Sequence, residues 1–299
     1  MRWTDRVYGD VTIDQPGLLE LIACATFQRL KGIHQAGPSA YAFPFKTVSR
    51  YEHSVGVCLL LRRLGADLRE QVAGLLHDLS HTAFSHAVDF VFASDEQDHH
   101  ESLKPQFLNR PDIASALGKL DMRPEEFFDD SIFRVLERPL PWLCADRLDY
   151  FLRDSLACGV CTPQIVRQLL EHVVVMDQTL VFTDLALARQ AASLYEVMNR
   201  DWWASPVEAF IYNEFADALR EGFRIGALHP DDMLADDAHV LERLQTAQSA
   251  LINEKLDHVL NFRQERVAGY VPHIIPKMRW IDPPVRVGPD SFRRLSELV

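Results

Sequence analysis

The sequence has no apolar run approaching the roughly 20 residues that a bilayer span needs, and its first ten residues, MRWTDRVYGD, contain no apolar signal-peptide core. A cytoplasmic protein that does not enter a membrane is the expectation. No internal repeat, low-complexity tract or Pro/Gly/Ser-rich linker divides the 299 residues. The five cysteines (Cys24, Cys58, Cys144, Cys158 and Cys161) are too few and too uneven for a disulfide framework. Cys158-Gly159-Val160-Cys161 has the spacing of a redox or zinc pair, but no second pair accompanies it, so small apolar packing residues are expected. Basic side chains are also short: 31 Lys and Arg stand against 43 Asp and Glu, a net charge of −12. A field of that sign repels polyanions and argues against nucleic acid as a partner. It leaves room for a small phosphorylated molecule in a pocket with its own cations and a metal. With 47% hydrophobic and 25% charged residues, the chain has the composition of an ordinary globular protein with a sizeable core.

Helical periodicity dominates. Leu18, Leu19, Leu21, Ile22, Phe27, Leu30 and Ile33 recur at three- and four-residue intervals and predict a helix over 16–34 with one buried face. Residues 1–14 read as an irregular or extended entry, and the GPSAYAFP stretch ending at Pro44 as a loop. Long apolar helices are expected over 52–68 and 71–92, shorter ones over 107–133, and another over 141–156. Residues 173–182 have β-branched runs on either side of Asp177-Gln178-Thr179 and predict a small hairpin. Helix returns over 185–221 and 232–261. Residues 271–287, with prolines interrupting β-branched residues, suggest an edge strand or packed tail. The expected fold is all-α with a small β-hairpin and a short C-terminal β segment. Residues 1–165 would form a catalytic core, with 166–299 as a helical part packed on it.

Six of the twelve histidines fall between positions 53 and 100: His53, His77, His81, His86, His99 and His100. Neutral imidazoles grouped with carboxylates suit a divalent metal such as Mn, Fe, Ni or Zn. The sharpest element is Leu75-Leu76-His77-Asp78-Leu79-Ser80-His81. Adjacent His and Asp on a helix diverge by about 100°, so His77 and Asp78 can cover two corners of an ion lying between them. His53 is a candidate third ligand, and Asp146 or Asp149 a fourth. His81, four residues after His77, would share its helix face and point into the same cavity. Asp146, Tyr150 and Asp154 form an i, i+4, i+8 stripe that would join the metal to a substrate. Hydrolysis of a phosphoester needs an activated water, neutralisation of spread negative charge and a proton for the leaving oxygen. The metal and the histidines together answer those needs.

These segments resemble the HD-domain phosphohydrolases, in particular the branch that contains the deoxynucleoside triphosphate triphosphohydrolases. The likeness runs through Asp5-Arg6-Val7-Tyr8-Gly9, Phe27-Gln28-Arg29-Leu30, Ile33-His34-Gln35-Ala36-Gly37, Phe43-Pro44, and Ser49 to Gly56. It continues through His77 to His86, His100-Glu101 and Asp146 to Asp154. It covers roughly residues 1–165 well and the rest loosely. The ordered H…HD…D set with these flanks is highly specific. The resemblance implies an HD-domain helical bundle that binds a divalent ion (Mn, Fe, Ni, Zn or Mg) through His53, His77, Asp78 and Asp146. It implies phosphate contact or proton transfer for His81, His86 and His100. Arg50 and Arg147 would hold phosphates, Tyr150 and Asp154 the sugar, and Gln35 would lie beside the base or sugar. Asp149 reads as a structural partner of Arg147 or Arg153, and Asp89 as a residue on the helix surface or behind the site.

The activity implied is conversion of a dNTP to a deoxynucleoside and triphosphate, with a small-molecule nucleotide as partner. The alternatives are a phosphomonoesterase on nucleoside monophosphates or small phosphorylated metabolites, and a nucleotide-binding sensor without turnover. Departures from the regulated enzymes of the branch stand at Ala23-Cys24-Ala25-Thr26, which lacks the carboxylate of a guanine-binding allosteric site, and at Lys31, where arginine is common. Their long C-terminal extension is also missing. Nucleotide-activated tetramerisation is therefore not expected, although a homo-oligomer of another kind stays open. The Gly-Tyr-Pro signature of cyclic-dinucleotide hydrolases is absent. Arg200-Asp201-Trp202-Trp203 is expected to be core packing with a surface arginine. Asp231, Asp232, Asp236 and Asp237 are expected to form a solvated loop.

Overall fold

The computed structural model describes residues 2–92 and 99–298. Helix predominates, and three helices frame the site. Arg50–Arg63 begins where the Ser49 hydroxyl accepts from the Glu52 amide, and Leu68–Leu76 where the Asp67 carboxylate accepts from the Glu70 amide. Gly65, at φ +80°, makes the left-handed turn between them. Ala145–Ala157 lies against the first of the three, and the approach is close at Gly56. A Cβ added there would stand 1.9 Å from Arg153 Nη2 and 2.4 Å from Asp149 Oδ2. Both are fully buried, so neither can step aside. Gly56→Ala is expected to destabilise the protein by about 1–3 kcal/mol or more, read as a lower urea midpoint at unchanged m-value. An unchanged midpoint would show that the two helices can separate freely.

The expected hairpin is present as strands Val173–Met176 and Thr179–Phe182, with Asp177 and Gln178 at positive φ in the turn. It is extended by Pro284–Gly288, which pairs parallel to Thr179–Phe182, and then by Ser291–Arg294, giving a four-stranded sheet. The entry segment is a second small hairpin, Arg2–Asp5 with Gly9–Thr12. The fold is thus mostly helical with small sheets.

Several expected long helices are broken. Residues 16–34 divide into Pro16–Ala23, Ala25–Gln28 and a 3-10 turn, and the 39–42 stretch of the expected loop is a helical turn. The helix expected over 185–221 becomes Leu185–Met198 and Pro206–Arg224, separated by a π-helical turn at Asn199–Trp203. A fresh N-cap at Ser205, followed by Pro206, starts the second piece. Residues 232–261 likewise divide into Asp237–Thr246 and Ala250–Leu260, each with its own side-chain N-cap. The break with most consequence ends Leu68–Leu76, one residue before His77.

Apolar side chains form two packed clusters. One joins the three framing helices to the Leu185–Met198 helix and the four-stranded sheet. The other packs residues 83–90 against Pro206–Arg224 and the last two helices. The histidine-rich turn runs between these clusters. Among the described residues no helix is long and apolar enough to cross a membrane.

Candidate metal centre

His53 sits one turn into Arg50–Arg63 and Asp146 in the first turn of Ala145–Ala157, so the close packing of these helices brings the two side chains together. His77 and Asp78 arrive from the turn after Leu68–Leu76. The sequence reading placed His77, Asp78 and His81 on one continuous helix; in the structure residues 77–85 leave the helix. His77 Nδ1 donates to the Gly74 carbonyl at 2.8 Å, occupying the acceptor that the next backbone amide would have used. The turn is then held from elsewhere in the chain. Arg29 Nη2 donates to the Leu79 carbonyl at 2.8 Å, and Asp237 Oδ1 accepts from the Phe84 amide at 2.6 Å. His81 therefore enters the cavity through a folded-back turn rather than through helical i+4 spacing.

Four side chains converge. His53 Nε2 lies 2.9 Å from Asp146 Oδ1 and 3.7 Å from Asp78 Oδ2. His77 Nε2 lies 3.2 Å from His53 Nε2, and 3.4 Å from both Asp146 Oδ1 and Asp78 Oδ1. Ligand bonds of about 2.0–2.2 Å set neighbouring donor atoms roughly 3.0–3.4 Å apart around one ion, so His53, His77 and Asp146 could hold a single cation, and Asp78 lies beside them with Oδ1 toward His77 and Oδ2 toward His53. The electrostatics agree. Burial opposes charge on His53 and His77, yet the hydrogen bonds and fields of Asp78, Asp146 and Asp149 outweigh it and raise both above the usual imidazole value, His77 to about 10. The carboxylates hold positive charge at this point whether protons or a metal supply it. Imidazole and carboxylate donors together suit a divalent transition ion or Mg.

Behind the cluster, His53 Nδ1 faces Asp149 Oδ1 at 2.8 Å, which assigns the proton to Nδ1 and leaves the Nε2 lone pair for a ligand bond. Asp149 is fixed in turn by Arg153 at 2.9 Å and by the Tyr8 hydroxyl at 2.7 Å. Arg153 reaches on to Asp5 and Glu52. Asp149 thus has the expected Arg153 partner and also orients the His53 ring. Asp149→Asn is expected to lower divalent-metal affinity about 10–100-fold, measured by competition against a chromogenic chelator. A lower melting temperature with unchanged affinity would mean that the residue only braces Arg153.

The other expected site residues line one cavity of about 470 Å³ with the four. Arg50 donates to Asp78 Oδ2 at 2.7 Å and to the Ser85 hydroxyl at 3.0 Å. His81 Nε2 lies 3.3 Å from Asp78 Oδ1, and its ring stacks on His100 at 3.9 Å with His86 edge-on at 4.9 Å. Burial above all, helped by Arg50 and His100, holds His81 well below its usual value; burial brings His86 to about 4 despite Asp89. Burial thus favours the neutral form of both rings. Asp89 is buried and 3.0 Å from His86 Nδ1, behind the site rather than on the surface. The side chain of His99 lies outside the described residues. Arg147 reaches the cavity wall, but its Nη atoms donate to the Arg138 and Trp142 carbonyls. Tyr150 hydrogen-bonds Tyr195, and Asp154 accepts from Trp203 Nε1 at 2.9 Å. Gln35 lines the cavity with a buried Oε1 that has no hydrogen-bond partner among the described residues.

Sequence reasoning passed over several residues of the cavity lining. Trp202 and Trp203 pack against the core, as expected, and also line the cavity; Arg200 is exposed against Asp201, as expected. Lys46, Glu208 and Tyr212 contribute, as does Glu137, which burial and the nearby Asp146 raise to about 7. The expected solvated acidic loop is corrected as well. Asp237 is wholly buried, where it accepts from the His34 and Phe84 amides, and Asp236 caps the helix that Asp237 begins. Their carboxylates serve unsatisfied amides rather than solvent.

Fold and site together define a helical, metal-dependent hydrolase. The HD domain family model matches residues 50–127, which contain three of the four converging side chains. The chain is 38% identical over 95% of its length, and 88% of the other's, to the uncharacterized protein YdhJ of Bacillus subtilis. It is 33% identical to the metal-dependent phosphohydrolase cns2 of Cordyceps militaris, over 75% of this chain and 67% of that one. A deoxynucleoside triphosphate triphosphohydrolase SAMHD1 homolog of Dictyostelium discoideum is 27% identical over 88% of this chain, which spans 59% of that protein. A solved phosphohydrolase from Bacteroides thetaiotaomicron shares the fold at a TM-score of 0.72 and 17% identity, covering 100% of this chain and 94% of that one. The chain belongs to the HD-domain family of metal-dependent phosphohydrolases, and its cofactor is a divalent metal ion.

Proposed function

We propose that the protein hydrolyses a phosphoester of a nucleotide, with His53, His77, Asp78 and Asp146 as its metal ligands. The observation that carries this reading is their convergence on a cavity that Tyr150, Trp202, Trp203 and Tyr212 also line and whose volume suits one small molecule. When bound, the cation polarises a phosphoryl oxygen and lowers the pKa of water. Arg50, fixed by Asp78 and Ser85, presents its remaining guanidinium edge to a phosphate. His81, His86 and His100, packed ring against ring beside Asp78, exchange the protons that the attacking water loses and the leaving oxygen gains. Tyr150 and Asp154, positioned by Tyr195 and Trp203, bind the sugar; Gln35 and Trp202 border the base. Residues 1–165 then act as the catalytic core, and the part beyond 165 supplies the aromatic wall.

Two substrates follow from different observations. Similarity to the Dictyostelium relative supports a dNTP with release of triphosphate. The cavity's charge favours a monophosphate: Lys46 is paired with Glu208 at 2.8 Å, Arg50 with Asp78, and the Arg147 Nη atoms with carbonyls, which leaves little cationic capacity for a triphosphate. Purified protein is to be assayed on dNTPs, NTPs and nucleoside monophosphates with Mn, Fe, Ni, Zn or Mg, measuring triphosphate and inorganic phosphate separately. Triphosphate supports the first substrate and phosphate alone the second. Tight binding without turnover under every metal overturns the hydrolytic reading in favour of a sensor.

A further inference from the structure

Among the cations lining the cavity, Arg279 stands apart. The whole chain carries 43 acidic residues, and eight carboxylates line this cavity, yet among the described residues none pairs with Arg279. Its guanidinium makes a single long contact, 3.5 Å, to the Lys277 carbonyl. The other three cations of the wall have partners at hydrogen-bond distance in Glu208, Asp78 and backbone carbonyls. A half-buried guanidinium turned into a cavity without a counter-ion gives up solvation for no compensating bond. An anion entering that cavity restores the balance.

The backbone that carries Arg279 is held in place at two points. Asn199, at the start of the π-helical turn, accepts from the Arg279 amide at 2.8 Å. Asn213, inside Pro206–Arg224, accepts from the Ile274 amide at 3.0 Å and donates to the Ile274 carbonyl at 2.7 Å. Both asparagines are buried. Residues 274–279 have no regular secondary structure, so these side chains supply backbone partners that a helix or sheet would otherwise provide. The same π-helical turn carries Trp202 and Trp203, so the strap and the aromatic wall share an anchor. Arg279 and Arg50 line the same cavity.

We propose that Arg279, presented by the 274–279 strap, is a substrate-specificity residue that grips a phosphate group of the substrate bound in this cavity. The assignment rests on the nucleotide-phosphohydrolase reading for its substrate, but the anion site is testable without turnover. Arg has the fitting chemistry, since its planar fork pairs with two oxygens of one phosphate.

The test uses the metal-loaded protein, Arg279→Gln and Arg279→Lys. Inorganic phosphate is the binding probe, followed by the emission of the cavity tryptophans, and kcat and KM are measured on the best nucleotide. Arg279→Gln is expected to weaken phosphate binding about tenfold or more and to raise KM by a similar factor, with kcat changed less than about threefold. Arg279→Lys is expected to recover part of the affinity, and it also serves as the readout if the glutamine variant melts early. Wild-type protein that binds no phosphate, or variants with unchanged phosphate affinity and KM, overturn the proposal. A loss of kcat at constant KM does so too. Arg279-dependent phosphate binding in a protein that hydrolyses no nucleotide keeps the anion site and rejects the nucleotide reading. Nucleotide turnover indifferent to Arg279 does the reverse.

Discussion

Asp146→Ala is expected to leave the protein without tightly bound divalent metal and to reduce phosphoester hydrolysis by more than about a thousandfold, roughly 4 kcal/mol of transition-state stabilisation. Asp146 Oδ1 lies within 3.4 Å of both histidine ligand atoms, so its removal opens the side of the cluster that faces Ala145–Ala157. What remains is two imidazoles and Asp78, whose other oxygen is already engaged by Arg50. Loss of rate by misfolding is separated by Asp146→Asn, which keeps the shape and one oxygen but removes the charge. Both variants are expected to melt cooperatively in the metal-free form and to show sub-stoichiometric metal by elemental analysis. Full metal content with full activity in Asp146→Ala would show that the ion is held elsewhere. In that case the convergence of the four side chains has another purpose.

The second large effect separates proton transfer from metal binding. His81→Ala is expected to retain the metal and lose about 10²–10⁴ in kcat, the range of a positioned acid or base. His81 Nε2 faces Asp78 Oδ1 at 3.3 Å, and its Nδ1 has no hydrogen-bond partner among the described residues. With the proton on Nε2 toward the carboxylate, Nδ1 keeps a lone pair, and burial keeps the ring neutral. The measurement is metal content beside kcat for His81→Ala, His86→Ala and His100→Ala. Metal lost in step with rate would make His81 a ligand. An unchanged kcat in His81→Ala would move the proton transfer to its ring neighbours.

How much of this was legible from residues alone depends on how local each cause is. The hairpin at 173–182 was read correctly because β-branched runs and a turn-forming Asp-Gln pair act over a few residues. The helix expected from residue 52 was read from its apolar content, which is local, whereas its start at Arg50, capped by Ser49, came from the structure. The end of the helix at Leu76 was not, since Leu75 to Phe84 keep an apolar pattern compatible with helix. The bonds that fold them back come from Arg29 and Asp237, 50 and 153 residues away. Asp237 itself was misplaced in solvent for the same reason: nothing nearby in sequence announces the two amides it accepts from. Trp202 and Trp203 were read as core and do pack against it, but their second contact, with the cavity, depends on a π-helical turn that has no simple periodic signature.

The order and types of residues by themselves determined that this is a mostly helical protein with an HD-type set of histidines and aspartates, because those are properties of spacing and chemistry along the chain. Tertiary structure alone decided that His77 and His81 reach the cavity by a turn, that Asp149 stands behind His53, and that Arg279 lines the cavity with no carboxylate partner among the described residues. The physical reason is that each of these depends on a partner far away in sequence. Burial makes such partners obligatory for polar groups, and only the packed chain brings them within hydrogen-bond distance.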